Sequence, residues 1–222
     1  MDAVSTPTAE PALRADALRN RRRILDAAAE AFSDGGLEVG VAEIARRAEV
    51  GAGTLFRHFP SKEDLIFAIV EERTLDMIEA GRAALEEEDP GEALRRFMFA
   101  GTELHVRDRG FFDAAMTRVN KEQRLRELRD EIVAIAGELL ERAQVAGAAR
   151  DDVEPQDLPL LMCAAAGAAA PVHGRLPDLW QRYVGLILDG LRPGGCTALG
   201  AAAPTLADFD AALAEKPKRR AR

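Results

Sequence analysis

The sequence predicts an all-α fold, with a small three-helix head near the N-terminus joined to a larger helical body, about nine helices in total. Three observations carry that expectation. Apolar residues recur three and four positions apart from Ile24 to Leu191, the spacing of one helix face. No stretch alternates with the two-residue period of a strand, and no internal repeat is present. Clusters such as Asp34-Gly35-Gly36 and Pro193-Gly194-Gly195 stand where a helix would stop, and Pro90 stands where one would start.

The elements follow in chain order. Residues 1–13, with Pro7 and Pro11 among small side chains, read as a flexible arm. A first helix carries Ile24, Leu25, Ala28, Ala31 and Phe32 and stops at the glycine pair. A second, about Val41 to Ala48, sets Val41, Ile44, Ala45 and Ala48 on one face. Glu49-Val50-Gly51 turns the chain into a third helix ending near Phe59-Pro60. Ser61 opens a fourth: its hydroxyl suits the Asp64 amide, and the acidic first turn suits the helix dipole.

That helix continues through Leu65, Ile66, Ile69 and Val70 towards Glu88. Pro90 opens the next, with Leu94, Phe97, Met98, Gly101 and Leu104 in one stripe. Phe111, Phe112, Ala115, Met116 and Val119 mark a shorter helix, and Leu125, Leu128, Ile132, Ile135 and Leu139 a long one ending near Gly147. Two more run from about Pro155 to Ala170 and from Pro177 to Leu191. The domain plan is therefore an arm over 1–13, a head over 14–78 with its central motif at 41–60, a body over 79–192, and a mostly disordered tail over 193–222.

Composition narrows the function. A chain of 222 residues, 47% apolar and 31% charged, can bury a core without disulfides or metals. No signal peptide opens it, and its longest weakly polar run, Leu158 to Val172, is too short for a bilayer, so a soluble cytoplasmic protein without membrane contact is expected. Cys163 and Cys196 form no CxxC pair, and His58, His105 and His173 fall on separate elements, so neither metal nor other cofactor is expected. Catalysis finds no nucleophile elbow, phosphate loop or paired acid and histidine, and an enzyme is not expected.

The net charge of −8 is unevenly spread. Residues 1–70 hold nine basic and eleven acidic side chains, residues 71–192 sixteen and twenty-four, and residues 193–222 five and three. Acidity thus sits in the body. The head's Arg19, Arg21, Arg22, Arg23, Arg46, Arg47, Arg57 and Lys62 can form a local basic face, so binding to a polyanion would rest on geometry and not on bulk charge.

The informative segment is Val41 to Leu65, VAEIARRAEVGAGTLFRHFPSKEDL. Two short helices joined by a three-residue turn make a helix-turn-helix, the unit that reads a major groove. Leu55 and Phe59, four apart, point into the head, which leaves Gly53, Thr54, Arg57 and His58 on the other side. Arg57 suits guanine, Thr54 a thymine methyl or a phosphate, and Gly53 close approach. Lys62 suits a phosphate, and Gly40, Val41 and Ala52 complete the expected DNA-binding set. The bland alternative for Arg57 and His58 is a solvated helix face, and for Gly53 conformational slack.

The same segment resembles the TetR family of regulators, whose string closes on an aromatic, a variable residue, His-Phe and then Ser-Lys. Here those are Phe56, Arg57, His58, Phe59, Ser61 and Lys62 within a match over about residues 19–78. Four positions depart from it: Gly40 replaces a frequent Thr, Glu49 a usual Gly, Gly51 a common capping Ser, and Phe56 a typical Tyr. Three hydroxyls are thereby lost and one negative charge gained. In the body, Arg150-Asp151-Asp152-Val153, Trp180-Gln181-Arg182-Tyr183 and Leu188-Asp189-Gly190-Leu191-Arg192 are similar to the SbtR-like branch.

The resemblance implies a ligand-responsive repressor that binds double-stranded DNA at a palindromic operator as a homodimer. It further implies dimerisation through the last two body helices and an unidentified small-molecule effector in a pocket between the earlier ones. The small residues from Ala164 to Ala170 suit a close helix contact, with Ala165, Ala169, Trp180, Tyr183, Val184 and Ile187 as expected interface. Phe97, Met98, Phe112, Met116 and Met162 are the expected pocket wall, with His105 and Arg118 near a polar ligand head; plain core packing is the alternative. A rival function is a small-molecule carrier with a vestigial DNA-binding head.

Overall fold

The computed structural model describes residues 9–108, 115, 122–194, 197–205, 207, 208 and 211. Among them lie eight α-helices and no strand: α1 (Ala9–Gly35), α2 (Val41–Arg47), α3 (Ala52–His58), α4 (Lys62–Leu85), α5 (Pro90–Asp108), α6 (Gln123–Val145), α7 (Asp157–Ala169) and α8 (Leu179–Gly190). A 3-10 turn, Ala170–Val172, continues α7. The short helix expected around Phe111 to Val119 lies outside the described residues, apart from Ala115, which is helical and buried. Two compact units divide between Ile69 and Val70.

In the first unit α1 packs on α2 and α2 on α3. Ile24, Leu25, Ala28 and Phe32 of α1 meet a core completed by Ile44, Ala45, Leu55, Phe59, Leu65 and Ile66, all buried. The arm expected over 1–13 is corrected at its end, because α1 is already helical at Ala9. Pro11 then stands in the first turn, where its missing N–H breaks no helical hydrogen bond. Gly36 closes α1 at φ +71°, its amide donating to the Phe32 carbonyl at 2.8 Å. Before α4, the Asp64 amide donates to Ser61 Oγ at 3.0 Å while the Ser61 amide donates to Asp64 Oδ2 at 2.9 Å. This reciprocal cap satisfies two otherwise orphan donors and fixes where α4 begins.

In the second unit α5 is the central helix, packing against α6, α7 and α8. Glycines allow the closest approaches. A Cβ on Gly81 would stand 2.7 Å from Ile135 Cγ2 and 3.2 Å from the Phe97 ring, and one on Gly101 would stand 2.7 Å from Met77 Cε and collide with the Met162 sulfur. The α4–α5 connection is held from α6: the Arg142 guanidinium donates to the carbonyls of Leu85 and Glu87, each at 2.7 Å. Asp89 Oδ1 accepts the Glu92 amide at 2.9 Å and so caps α5.

In the tail expected over 193–222, described residues make side-chain and capping contacts. Arg150, buried and paired with Asp152, donates to the Thr197 carbonyl at 2.7 Å. Thr205 and Asp208 form a second reciprocal cap. A buried guanidinium needs acceptors on all sides, and the returning chain supplies one. No described helix is long and apolar enough to cross a membrane.

Candidate nucleic-acid interface

The helix-turn-helix is built from α2, the turn 48–51 and α3. Val50 donates its amide to the Ala45 carbonyl at 3.0 Å, which folds the turn back on α2. Glu49 stands in that turn at φ +53°, a left-handed conformation that side chains other than Gly and Asn adopt at a cost of about 1–2 kcal/mol. On α3, Leu55 is 1% exposed, and Phe59 just beyond the helix is 3% exposed. Both anchor the rod inward. Ala52, Gly53 and Arg57 are exposed on the opposite side, with Thr54 and His58 partly exposed beside them. The 3.6-residue period produces this division, since 55 and 59 share a face that 53, 54 and 57 do not.

The outward glycines answer no packing need. A Cβ added at Gly40, Gly51 or Gly53 meets no atom within 4 Å, and none of the three has a positive φ. Gly40 and Gly51 are the N-caps of α2 and α3, and neither helix has a side-chain cap bond. Both helices thus begin with amide donors that no capping side chain satisfies. Phe56, 47% exposed, presents an apolar ring on the same head.

The head's cations fall into two groups. Arg46 and Arg47 both bind Glu43, at 2.7 and 2.9 Å, and Arg47 also binds Asp34 at 3.0 Å. These two guanidiniums hold the Glu43 carboxyl down at a pKa of about 2. Arg19 pairs with Asp16, Arg22 with Asp26, and Arg23 with Glu49 across 2.9 Å. Arg57 has no ion pair or hydrogen bond with any described residue. The Lys62 ammonium lies 5.8 Å from the centroid of the Phe32 ring, and the Arg21 guanidinium 5.2 Å from that of Phe59. Such contacts orient a cation without neutralising it. Of the eight basic residues expected on this face, Arg57, Lys62 and Arg21 therefore keep their charge unpaired among the described residues.

In the body, Phe97, Met98 and Met162 are buried, and Met162 with Met77 occupies the space over Gly101. His105 is partly buried with Nδ1 3.0 Å from the Gly101 carbonyl, while Phe112, Met116 and Arg118 lie outside the described residues. A cleft of about 490 Å³ opens elsewhere, between the start of α5, the 147–148 turn and the end of α8, with Leu94, Leu188 and Leu191 in its wall. No expected pocket residue lines it. Among the described residues no group of three or more acidic, His or Cys side chains could hold a metal ion.

Burial within the protomer divides the residues expected at the dimer face. Ala165 and Ala169 are buried, Trp180 is 6% exposed and Val184 fully buried. The small residues of α7 admit helices of the same protomer, since α5 and α8 both pack on α7, and the Trp180 ring lies 5.8 Å from that of Phe99 on α5. Tyr183 and Ile187 stay partly exposed. The outward side of α7 and α8 carries Leu160, Ala164, Gly167, Ala168 and Leu186 instead. The spacing 160, 164, 167 and 168 was available as a signal, but small residues on all sides of α7 concealed which side faced out.

Residues 24–69 match the family model for bacterial regulatory proteins of the tetR family. Residues 89–193 match that for the SbtR-like transcriptional regulator C-terminal domain. The chain is 40% identical over 60 residues to an HTH-type transcriptional regulator of Staphylococcus aureus, which is 27% of this chain and 32% of that one. It is 47% identical over 64 residues to the A-factor receptor protein of Streptomyces griseus, 28% of this chain and 23% of the receptor. These matches span a third or less of either relative's length. Two solved structures are similar over far more. A TetR transcriptional regulator of Streptomyces coelicolor superposes with a TM-score of 0.60 at 31% identity, over 79% of this chain and 99% of that one. A TetR transcription regulatory protein of Mycobacterium vanbaalenii does so with 0.60 at 36%, over 81% and 99%.

Proposed function

The chain belongs to the TetR family of bacterial regulators, and on that premise we propose that it is a ligand-responsive repressor acting in the cytoplasm, with no catalytic role. Two protomers would set their α3 helices in successive major grooves, roughly 34–36 Å apart, on a palindromic operator. The observation that carries this reading is the division of α3, with Leu55 and Phe59 buried while Arg57 stands exposed and unpaired among the described residues. An exposed guanidinium with no internal acceptor keeps all its donors available to a base edge or a phosphate.

Each residue then has a role. Arg57 reads a base edge, with Thr54 and His58 beside it and Gly53 and Ala52 allowing the backbone close. Lys62, together with the α2 start at Gly40 and Val41, meets the phosphates. Dimerisation uses the outward face of α7 and α8, with Tyr183, Ile187, Leu160 and Leu186. The effector pocket is assigned to Phe97, Met98, His105 and Met162 with Phe112 and Met116. Because Met162 fills the space over Gly101, a ligand there must displace it, and an arrangement that fits the ligand but not the operator spacing lowers DNA affinity by the difference in binding energy. A carrier with a vestigial head is the alternative, and salt-dependent binding to any duplex separates the two.

The test is a binding titration on a duplex carrying the gene's own upstream region. Arg57→Ala should weaken binding by about 1–3 kcal/mol per head, roughly 5- to 150-fold for one head, with Thr54→Ala weaker but in the same direction. Undiminished affinity in both variants would remove α3 from base reading.

A further inference from the structure

We propose that Glu49 is a built-in competitor of DNA phosphate for Arg23, setting the head's affinity by withholding one contact. This rests on the recognition-helix reading above and deepens it. The turn between α2 and α3 holds Glu49 at φ +53°, where glycine would sit without strain, so a side chain is carried there against a backbone cost. That side chain reaches back to α1, where its carboxylate lies 2.9 Å from Arg23 Nη2. Both partners are open to water, Arg23 with 48% and Glu49 with 82% of the side chain exposed.

An exposed pair of this kind adds little to folding and exchanges readily for another anion. Glu49 is two residues before Gly51, the N-cap of α3, so the pair sits at the end of α3 that carries Ala52 and Gly53 into the groove. A duplex docked on α3 brings phosphates to that end. The Arg23 guanidinium can then bind carboxylate or phosphate, and the carboxylate is tethered. Arg46 and Arg47 are a different case. Glu43 holds both and Arg47 also braces Asp34 of α1, which makes that cluster a structural link. Arg57 stays free throughout, so base reading and phosphate restraint are separate devices on one head.

The experiment measures operator binding from about 50 to 200 mM salt for the parent, Glu49→Gln, Arg23→Ala and the double variant, with Arg57→Ala as the control. Released Arg23 adds one phosphate contact per head, so Glu49→Gln should bind tighter at low salt and steepen the log–log salt slope by about 0.9 per head, about 1.8 for a dimer. The double variant should lose both gains. Thermal melting verifies folding, and Glu49→Asn, which tolerates the left-handed backbone, gives the same reading if Gln does not fold. An unchanged slope in Glu49→Gln, or a gain that survives in the double variant, overturns the assignment while Arg57-dependent binding leaves the recognition helix standing. Binding indifferent to Arg57→Ala overturns both.

Discussion

Replacing Leu186 by Glu should separate the protomers without unfolding them. Leu186 is 56% exposed on the outward side of α8. Full burial of a leucine is worth about 1.5–3 kcal/mol, so the exposed share that a partner could cover is worth roughly 0.8–1.7 kcal/mol per copy. A two-fold interface contains the residue twice, and the loss doubles to roughly 1.7–3.4 kcal/mol, a ~15- to 300-fold weaker dimer. A carboxylate drawn out of water adds to that. Sedimentation across a concentration series reads the shift, and thermal melting at a concentration where both proteins are monomeric should move by no more than about 0.5 kcal/mol, as for an exposed substitution. Trp180→Ala is the contrast: Trp180 is buried within the protomer, and its loss should cost about 3–5 kcal/mol of folding stability. If Leu186→Glu leaves both dimer dissociation and melting unaltered, the outward face of α7 and α8 is not the interface and the reasoning from exposure fails.

Other outcomes follow from the same geometry. Phe56→Tyr restores a hydroxyl on the exposed face and should raise operator affinity by about 0.5–1.5 kcal/mol in an anisotropy titration, with no change in melting temperature. Gly81→Val should destabilise the body by about 1–3 kcal/mol in denaturant melts, because its Cβ would lie 2.7 Å from Ile135 Cγ2, an atom on a stiff branched side chain. Ser61→Ala should cost about 1 kcal/mol through the lost cap of α4. The Glu43 carboxyl, depressed from 4.5 to about 2 by hydrogen bonds from Arg46 and Arg47, should titrate near pH 2 by carbon-detected NMR. Its contribution is therefore complete above the ordinary carboxylate range and disappears as pH falls through about 2, and Arg46→Ala with Arg47→Ala should return the midpoint towards 4.5.

The head was legible because two independent patterns agreed on it. Leu55 and Phe59 are four apart, and the Ser61–Asp64 cap marks the start of α4, so spacing and capping chemistry specify the same rod. Eight helices also follow from periodicity. The pairing of Arg23 with Glu49, and of Arg46 and Arg47 with Glu43, was harder to read: Glu43 with Arg47 is a four-residue helix pair, but Arg23 meets Glu49 only through tertiary packing.

Body function was the least legible. In α7 alanines lie on every face, so no contrast of size tells a buried Ala165 from an exposed Ala164. Sequence spacing equally cannot tell a Met that fills a core, as Met162 does over Gly101, from one that lines a cavity.

The most direct measurement is a base-by-base operator substitution profile of the parent against Arg57→Ala. With Arg57 on a base edge, the variant should lose about 1–3 kcal/mol of discrimination at one position in each half-site and keep it elsewhere, while Lys62→Ala weakens all sequences alike. A profile with the same preferences at every position after Arg57 is removed would contradict base reading from the outward face of α3.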